Sequence, residues 1–367
     1  MVPFASWSVL TTDFLIVLYL TLSGVVFSAI LQLSGARWHY ELRKVALSLY
    51  ALYPLAFILL VVLLAAGKTT FPWLGSVEHS SGWHTYTLPL GAGSPLAISL
   101  PEWHNYAFLI ARQIGGFLLV AFLYGRYIKL LAVSDQNMSD WKRFRRISYW
   151  VPAIFVLYGT LIAWDFEMTL LPEWHSAIYA MYHFVSNFGM FISFTITLVY
   201  FLSKNGMMAG RVPEYVYNYI SQLLLGFTLI WTYTFFAQYL TIWYGNLPDE
   251  RNRLTAMEEG DYSVLWWSFI ALKFLIPFGL LIFDYVRHSP GMIVAVACSI
   301  ILGTWIEQYT WISGSYPAGP FQPGYMPMTS AFDIIATLVI ALAAYALVRL
   351  SLVRNRVVLT SRAPSTL

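Results

Sequence analysis

The chemistry open to this chain rests on ionisable side chains set inside apolar stretches. Arg112, His183 and Lys273 lie well within such stretches, and Asp165, Glu167, His175, Glu307 and Asp333 lie towards their ends. A second set, Glu214, Tyr219, Gln222 and Asp284, falls near the opposite ends. A charge at the centre of a bilayer costs at least ~2.5 kcal/mol, so such residues either mark a proton or ion path or pair off to pack a bundle. Taken together, the two sets read as two half-channels, one opening to each face.

The elements that must position these residues are membrane spans. A hydrocarbon core roughly 30 Å thick needs about 20 apolar residues of helix. Nine runs meet that demand: 13–33, 45–66, 104–125, 147–164, 175–202, 213–242, 263–285, 290–311 and 329–349. At 1.5 Å per residue, Arg112 and His183 sit ~12 Å and Lys273 ~15 Å into their helices, which predicts three basic groups at a shared depth. Gly24 and Pro54 interrupt the first two runs and are tolerated where neighbouring helices satisfy the freed backbone.

Composition agrees. Hydrophobic residues make up 59% and charged residues 11% of the 367, far from the quarter charged residues of a soluble domain. Mean hydropathy is +0.64. The expectation is an all-α integral membrane protein forming a single membrane domain. The net charge of +3 does not indicate a nucleic-acid partner, because the basic residues are distributed by membrane side. The one cysteine, Cys298, sits in an apolar run, which excludes a disulfide framework or a thiolate cluster built from this chain alone. The first twelve residues hold no Lys or Arg, so the first apolar run is expected to be retained as a span rather than cleaved as a signal peptide.

Nine spans place the termini on opposite sides. With the N-terminus periplasmic, the cytoplasmic connections and tail hold sixteen of the 21 basic residues, among them Arg37, Arg43, Lys44, Arg126, Lys129, Lys142, Arg143, Arg145, Arg146, Arg211 and Arg354. The other side keeps Lys68, Arg251 and Arg253, the asymmetry that the positive-inside rule demands. The expected location is therefore a bacterial cytoplasmic membrane with the C-terminus inside. The loop 67–103, the Asn246-Leu-Pro-Asp-Glu turn and residues 312–328 read as ordered outer docking surfaces, or as an aromatic interface belt with turns.

A haem would need axial histidines on facing helices at matched depth. His175 lies roughly 80° round its helix from His183, and His39, His104 and His288 lie at or beyond span ends, so no bis-His pair is expected.

Four segments carry a family resemblance. They are Trp164-Asp165-Phe166-Glu167 continuing through Pro172, Trp174 and His175; Gln238-Tyr239-x-x-Ile242-Trp243-Tyr244-x-Asn246-x-Pro248-Asp249-Glu250; Lys273-Phe274-Leu275-Ile276-Pro277-Phe278; and Gly35-Ala36-Arg37-Trp38 with Arg43-Lys44. Over most of residues 10–315 the chain resembles ActF, an NrfD-like membrane subunit of bacterial alternative complex III, a quinol:cytochrome c oxidoreductase. That resemblance implies two four-helix bundles, 10–165 and 173–312, with a peripheral helix over 329–350 and a cytoplasmic tail over 351–367.

It also implies a subunit that is not catalytic alone, scaffolds its neighbours and contributes a proton path. The implied partners are an ActC-like membrane subunit, an iron–sulfur subunit, multihaem c-type cytochromes and small membrane subunits, with lipid around them. Haem c and iron–sulfur clusters would lie in those partners, and quinone or menaquinone is the implied substrate. Members of the family usually have one further N-terminal span, which this sequence is not expected to supply. The chain reads Glu214-Tyr215-Val216-Tyr217-Asn218-Tyr219 where the family is His-rich, and it carries Lys273 where the family has His. A proton route would then pass through Tyr, Gln or Lys. Within that reading, Asp165 beside His175 would accept protons released by quinol, while a helix-capping role is open to Asp165 as well. Two other assignments are an NrfD-type anchor of another iron–sulfur or molybdenum oxidoreductase, and a secondary transporter; the latter predicts matched helix breaks in two halves.

Overall fold

The computed structural model describes residues 4–36, 40–75, 77–80, 83–87, 97–99, 102–133, 138–172, 174–208, 212–314, 326–355 and 357. Among them, nine helices are long and apolar enough to cross a bilayer. The chain is an all-α, multi-pass membrane protein.

The first span is Phe4–Leu33. It starts nine residues before the apolar run because its polar side chains satisfy themselves: Thr11 and Thr12 hydroxyls donate to the Trp7 and Ser8 carbonyls at 3.1 and 2.9 Å. The second span runs Tyr40–Ser48, a 3₁₀ turn Leu49–Leu52 and Tyr53–Ala66, with Pro54 opening the last piece. The third is Tyr106–Val133 and the fourth Met138–Phe166. The fourth extends nine residues before its apolar run as an amphipathic turn that buries Phe144 and Ile147 and exposes Lys142, Arg143, Arg145 and Arg146. The fifth is Tyr179–Lys204, so His175 precedes the helix instead of opening it. The sixth is Glu214–Gly245, closed by Asn246 at φ 51°, the left-handed position common at helix ends.

Between spans six and seven the chain forms a further short helix, Pro248–Glu258. The seventh span comprises Ser263–Ile270, a π-helical turn Ala271–Leu275 and Ile276–Leu281. The eighth is Pro290–Ser313 and the ninth Ala331–Arg354. The loop after the second span holds a three-stranded antiparallel sheet, β1 Val77–Ser80, β2 Trp83–Thr87 and β3 Ala97–Ser99, where no strands are expected from composition.

Spans one to four form one group, with the third packed on the fourth and the fourth and second on the first. Spans five to eight form another, with the fifth packed on the sixth and eighth and the seventh on the eighth. The first span joins the groups by lying against the fifth and eighth, and the ninth packs on the first and second from outside. Close approach is enforced where it matters. A Cβ at Gly24 would stand 2.1 Å from the Ala46 carbonyl oxygen, so the first two spans cross backbone to backbone there.

The outer-surface readings for 312–328 and the tail 351–367 fall largely outside the described residues, as do Arg37, Trp38 and His39 of the Gly35-Ala36-Arg37-Trp38 motif.

Candidate functional site

The seventh span departs from α-helical winding at Lys273, and sequence explains why. Pro277 lacks the N–H that would bond the Lys273 carbonyl, and its ring crowds that same carbonyl. The helix widens into a π turn, a device found mostly as a single turn and often at functional sites. The Ser299 hydroxyl of the eighth span donates to the Leu272 carbonyl at 3.0 Å, satisfying part of the loosened backbone. Lys273 is thereby turned inward and buried at 4% exposure.

Its ammonium meets the carboxylate of Glu307 on the eighth span. Glu307 Oε2 also accepts the Ser186 hydroxyl at 2.5 Å, and Oε1 accepts the Tyr182 hydroxyl and the Trp231 indole N–H, the latter at 2.8 Å. Four donors fill the acceptor sites of one carboxylate. Trp311 Nε1 donates to the Tyr182 hydroxyl at 3.0 Å, and Lys273 Nζ lies 4.6 Å from the Trp231 ring centre. Spans five, six, seven and eight thus each supply one wall of a single buried acid–base centre. A small cavity adjoins Lys273 beside Ser186, Gly189 and Thr228.

A second centre adjoins it. Glu167, just past the fourth span, accepts the Tyr179 hydroxyl at 2.6 Å and pairs with His183 Nδ1 at 2.8 Å. His183 Nε2 and Glu167 Oε1 have no hydrogen-bond partner among the described residues, and the His183 ring stands 5.0 Å from that of Tyr19. Arg253, from the short helix after span six, donates to the backbone carbonyls of Glu167 and Trp311 at 3.1 and 3.0 Å. Its guanidinium lies 4.4 Å from the Trp174 ring centre. Trp311 and the Tyr179–Tyr182 ring pair, 5.8 Å apart, bridge the two centres.

The third pair belongs to the other helix group. Asp165 is fully buried and takes Arg112 in a two-pronged bond, Nε to Oδ2 and Nη2 to Oδ1, both 2.7 Å. Gln113 and the Trp103 indole complete its shell at 2.5 and 2.9 Å. The Arg112 guanidinium lies 4.2 Å from the Trp103 ring centre and 4.7 Å from that of Phe108. Every Asp165 acceptor is engaged, so the geometry is that of a clamp tying residues before the third span to the end of the fourth.

Each of the three basic groups therefore has its own acid: His183 and Lys273 occupy adjoining centres, and Arg112 pairs with Asp165 in the other helix group. Asp165 does not sit with His175, which is exposed on the segment before the fifth span. Asp333 is buried at the start of the ninth span, its carboxylate accepting the Ser330 hydroxyl at 2.7 Å and its backbone N–H donating back to that oxygen at 3.1 Å. The inward half-channel is not assembled as a buried chain. Glu214, Tyr219, Gln222 and Asp284 are exposed, with Tyr219 against Tyr215 at 5.8 Å and Asp284 bonded to Arg287 at 3.1 Å.

Asp13, Arg253, Tyr179, Tyr182 and Trp231 join these centres or lie buried beside the spans without any mark in residue type or spacing. Asp13 is 6% exposed and accepts the Trp305 indole at 2.9 Å and the Thr337 hydroxyl at 2.5 Å.

Outside the spans, His104 is buried against the Trp73 ring, with Nε2 3.2 Å from the Thr169 carbonyl. Burial pushes its pKa below the usual 6.5, opposed by the Thr169 bond and Asp165. Among the described residues no three His, Cys, Asp or Glu side chains group to hold a metal ion. No protein-family model and no curated protein matches this chain.

Proposed function

We propose that this chain is an integral membrane subunit of a quinol-oxidising electron-transfer complex of the alternative complex III type. In this reading it scaffolds periplasmic redox subunits and carries protons within the bilayer. It sits in a bacterial cytoplasmic membrane with the N-terminus periplasmic and the C-terminus cytoplasmic. Its neighbours are an ActC-like membrane subunit, an iron–sulfur protein, multihaem c-type cytochromes and small membrane subunits. The clusters and haem c belong to those neighbours, quinol is the electron donor, and nucleic acid has no part.

The observation that carries the reading is the joined pair of centres, Lys273–Glu307 and His183–Glu167. Buried pairs are expensive relative to apolar packing, so two of them sharing Tyr179, Tyr182 and Trp311 call for a use beyond stability. Ser186 touches both Lys273 Nζ and Glu307, each at 2.5 Å, and is placed to relay a proton between them. The His183 Nε2, which has no partner among the described residues, gives the second centre a site for proton exchange. A transporter is disfavoured: the 3₁₀ break falls in the second span of one group and the π turn in the third of the other, not at matched positions.

The test is purification from native membranes in mild detergent with identification of co-migrating subunits and a haem stain. Multihaem cytochromes and an iron–sulfur protein should travel with the chain. A chain that purifies alone and accumulates a solute in vesicles overturns the reading.

A further inference from the structure

The third span carries a recess that none of the three pairs uses. About 800 Å³ opens along its exposed face between Ala121 and Leu130, walled by Phe122, Arg126 and Lys129. Gly125 makes the room, since a Cβ there would meet only the Tyr50 hydroxyl, 4.0 Å away. The second span anchors on the same stretch: Tyr50 donates its hydroxyl to the Ala121 carbonyl at 3.4 Å, and Tyr53 donates to that of Phe117. Phe122 is 59% exposed, so the recess faces the lipid phase.

Its two cations lack protein acids. The Arg126 guanidinium stands 5.8 Å from the Phe122 ring centre, and neither Arg126 nor Lys129 meets a carboxylate among the described residues. Asp140, at the start of the fourth span, lies 3.8 Å from Arg143 on its own helix. Depth sharpens the point. The third span is 28 residues, roughly 42 Å, against a hydrocarbon core of roughly 30 Å, so a centred helix crosses the hydrocarbon edge ~6 Å before Val133. Lys129 falls at that edge and Arg126 ~4 Å inside it, where an exposed cation needs a counter-charge from outside the chain.

Three residues apart on one helix, the two cations are neighbours and can share one phosphate, the guanidinium with two parallel N–H bonds. A zwitterionic head would bring its own cation towards them and cancel much of the attraction, whereas a head of net negative charge would not. Free phosphate would have to leave water to reach Arg126, while a lipid phosphate is tethered to acyl chains already at that depth.

We propose that this recess binds one anionic phospholipid, its phosphate held by Arg126 and Lys129 and an acyl chain lying over Gly125 against Phe122. The site belongs to the first helix group and needs no residue of the Lys273–Glu307 or His183–Glu167 centres, so it stands or falls apart from the functional reading above.

The experiment is native mass spectrometry of the protein, with whatever subunits co-purify, after titration of its micelles with phosphatidylglycerol or with phosphatidylcholine. Wild type should hold one phosphatidylglycerol in preference to phosphatidylcholine. Arg126→Gln with Lys129→Gln should weaken that binding by roughly thirtyfold, about fivefold for each cation. Gly125→Leu keeps both charges but fills the recess, and should cost about fourfold for each methylene kept out of contact. Arg145→Gln with Arg146→Gln removes two exposed charges from the neighbouring span and should leave the affinity unchanged. Should the double variant at 126 and 129 fail to fold, either single substitution reads the fivefold loss. Equal affinity for the two lipids, an equal loss in the Arg145 and Arg146 variant, or displacement of the lipid by millimolar glycerol phosphate overturns the site.

Discussion

Gly303 of the eighth span lies directly over the stem of Lys273: a Cβ at that position would stand 2.6 Å from Lys273 Cγ and 2.9 Å from Leu272 Cβ. The π turn and the glycine are therefore one device, since the turn swings the lysine inward and the missing side chain leaves it room. Gly303→Ala should displace Lys273 from Glu307 and destabilise by about 1–3 kcal/mol, the usual cost of overpacking a filled core. Thermal unfolding in detergent reads the loss, and an unchanged transition would mean that the neighbours yield.

Arg112 and Asp165 make the most geometrically specific of the three pairs. Arg112→Lys keeps the charge but loses the second prong and the planar group between Trp103 and Phe108. A loss of about 1–3 kcal/mol is expected, because Asp165 is left with an unfilled acceptor in a dry site. Trp103 emission should shift to the red as its contact loosens. A lysine variant that melts like wild type with unshifted emission would show that the clamp does not hold this loop.

The nine spans were legible because bilayer thickness imposes a length on apolar runs, and their ends were legible only where apolarity itself ends. The first span ran further because Thr11 and Thr12 bond backward into their own helix, and this hid Asp13 at the edge of its apolar run. The sixth span shows what periodicity could have settled. Val216, Ile220 and Leu224 recur every four residues and are buried, which turns Glu214, Tyr219 and Gln222 away from the bundle. Arg253 could not be read. It sits in a polar stretch, and only tertiary folding of the short Pro248–Glu258 helix brings it over Trp174. Tyr179 and Tyr182 carry no sequence mark separating a buried hydroxyl bonded to a carboxylate from an interface-belt aromatic.

Lys273 and Glu307 form one charge-neutral unit, and the variants should behave as such. Lys273→Met leaves Glu307 with neutral donors only, and Glu307→Gln leaves a buried ammonium without its acid; each should cost about 3–5 kcal/mol. The double variant should recover a substantial part of that loss. If the pair also relays protons, the double variant regains thermal stability while proton uptake coupled to quinol oxidation in proteoliposomes stays depressed. Full recovery of coupling together with stability would assign the pair to packing alone.

His104 gives a pH dependence whose sign follows from its surroundings. Its Nε2–H donates to the Thr169 carbonyl, and Nδ1 is buried with no partner among the described residues, none of which would accept a second proton. The folded pKa is accordingly lowered from 6.5, chiefly by burial. With the folded value below the unfolded one, the unfolded chain binds more protons as pH falls through 6.5, and stability is lost over that window. Above 6.5 both forms are neutral and the contribution is fully present. The melting temperature should therefore decline on acidification below 6.5, and His104→Phe, which keeps the contact with Trp73 but cannot titrate, should flatten that decline. An equal acid slope in wild type and His104→Phe would place the titrating group elsewhere in the protein.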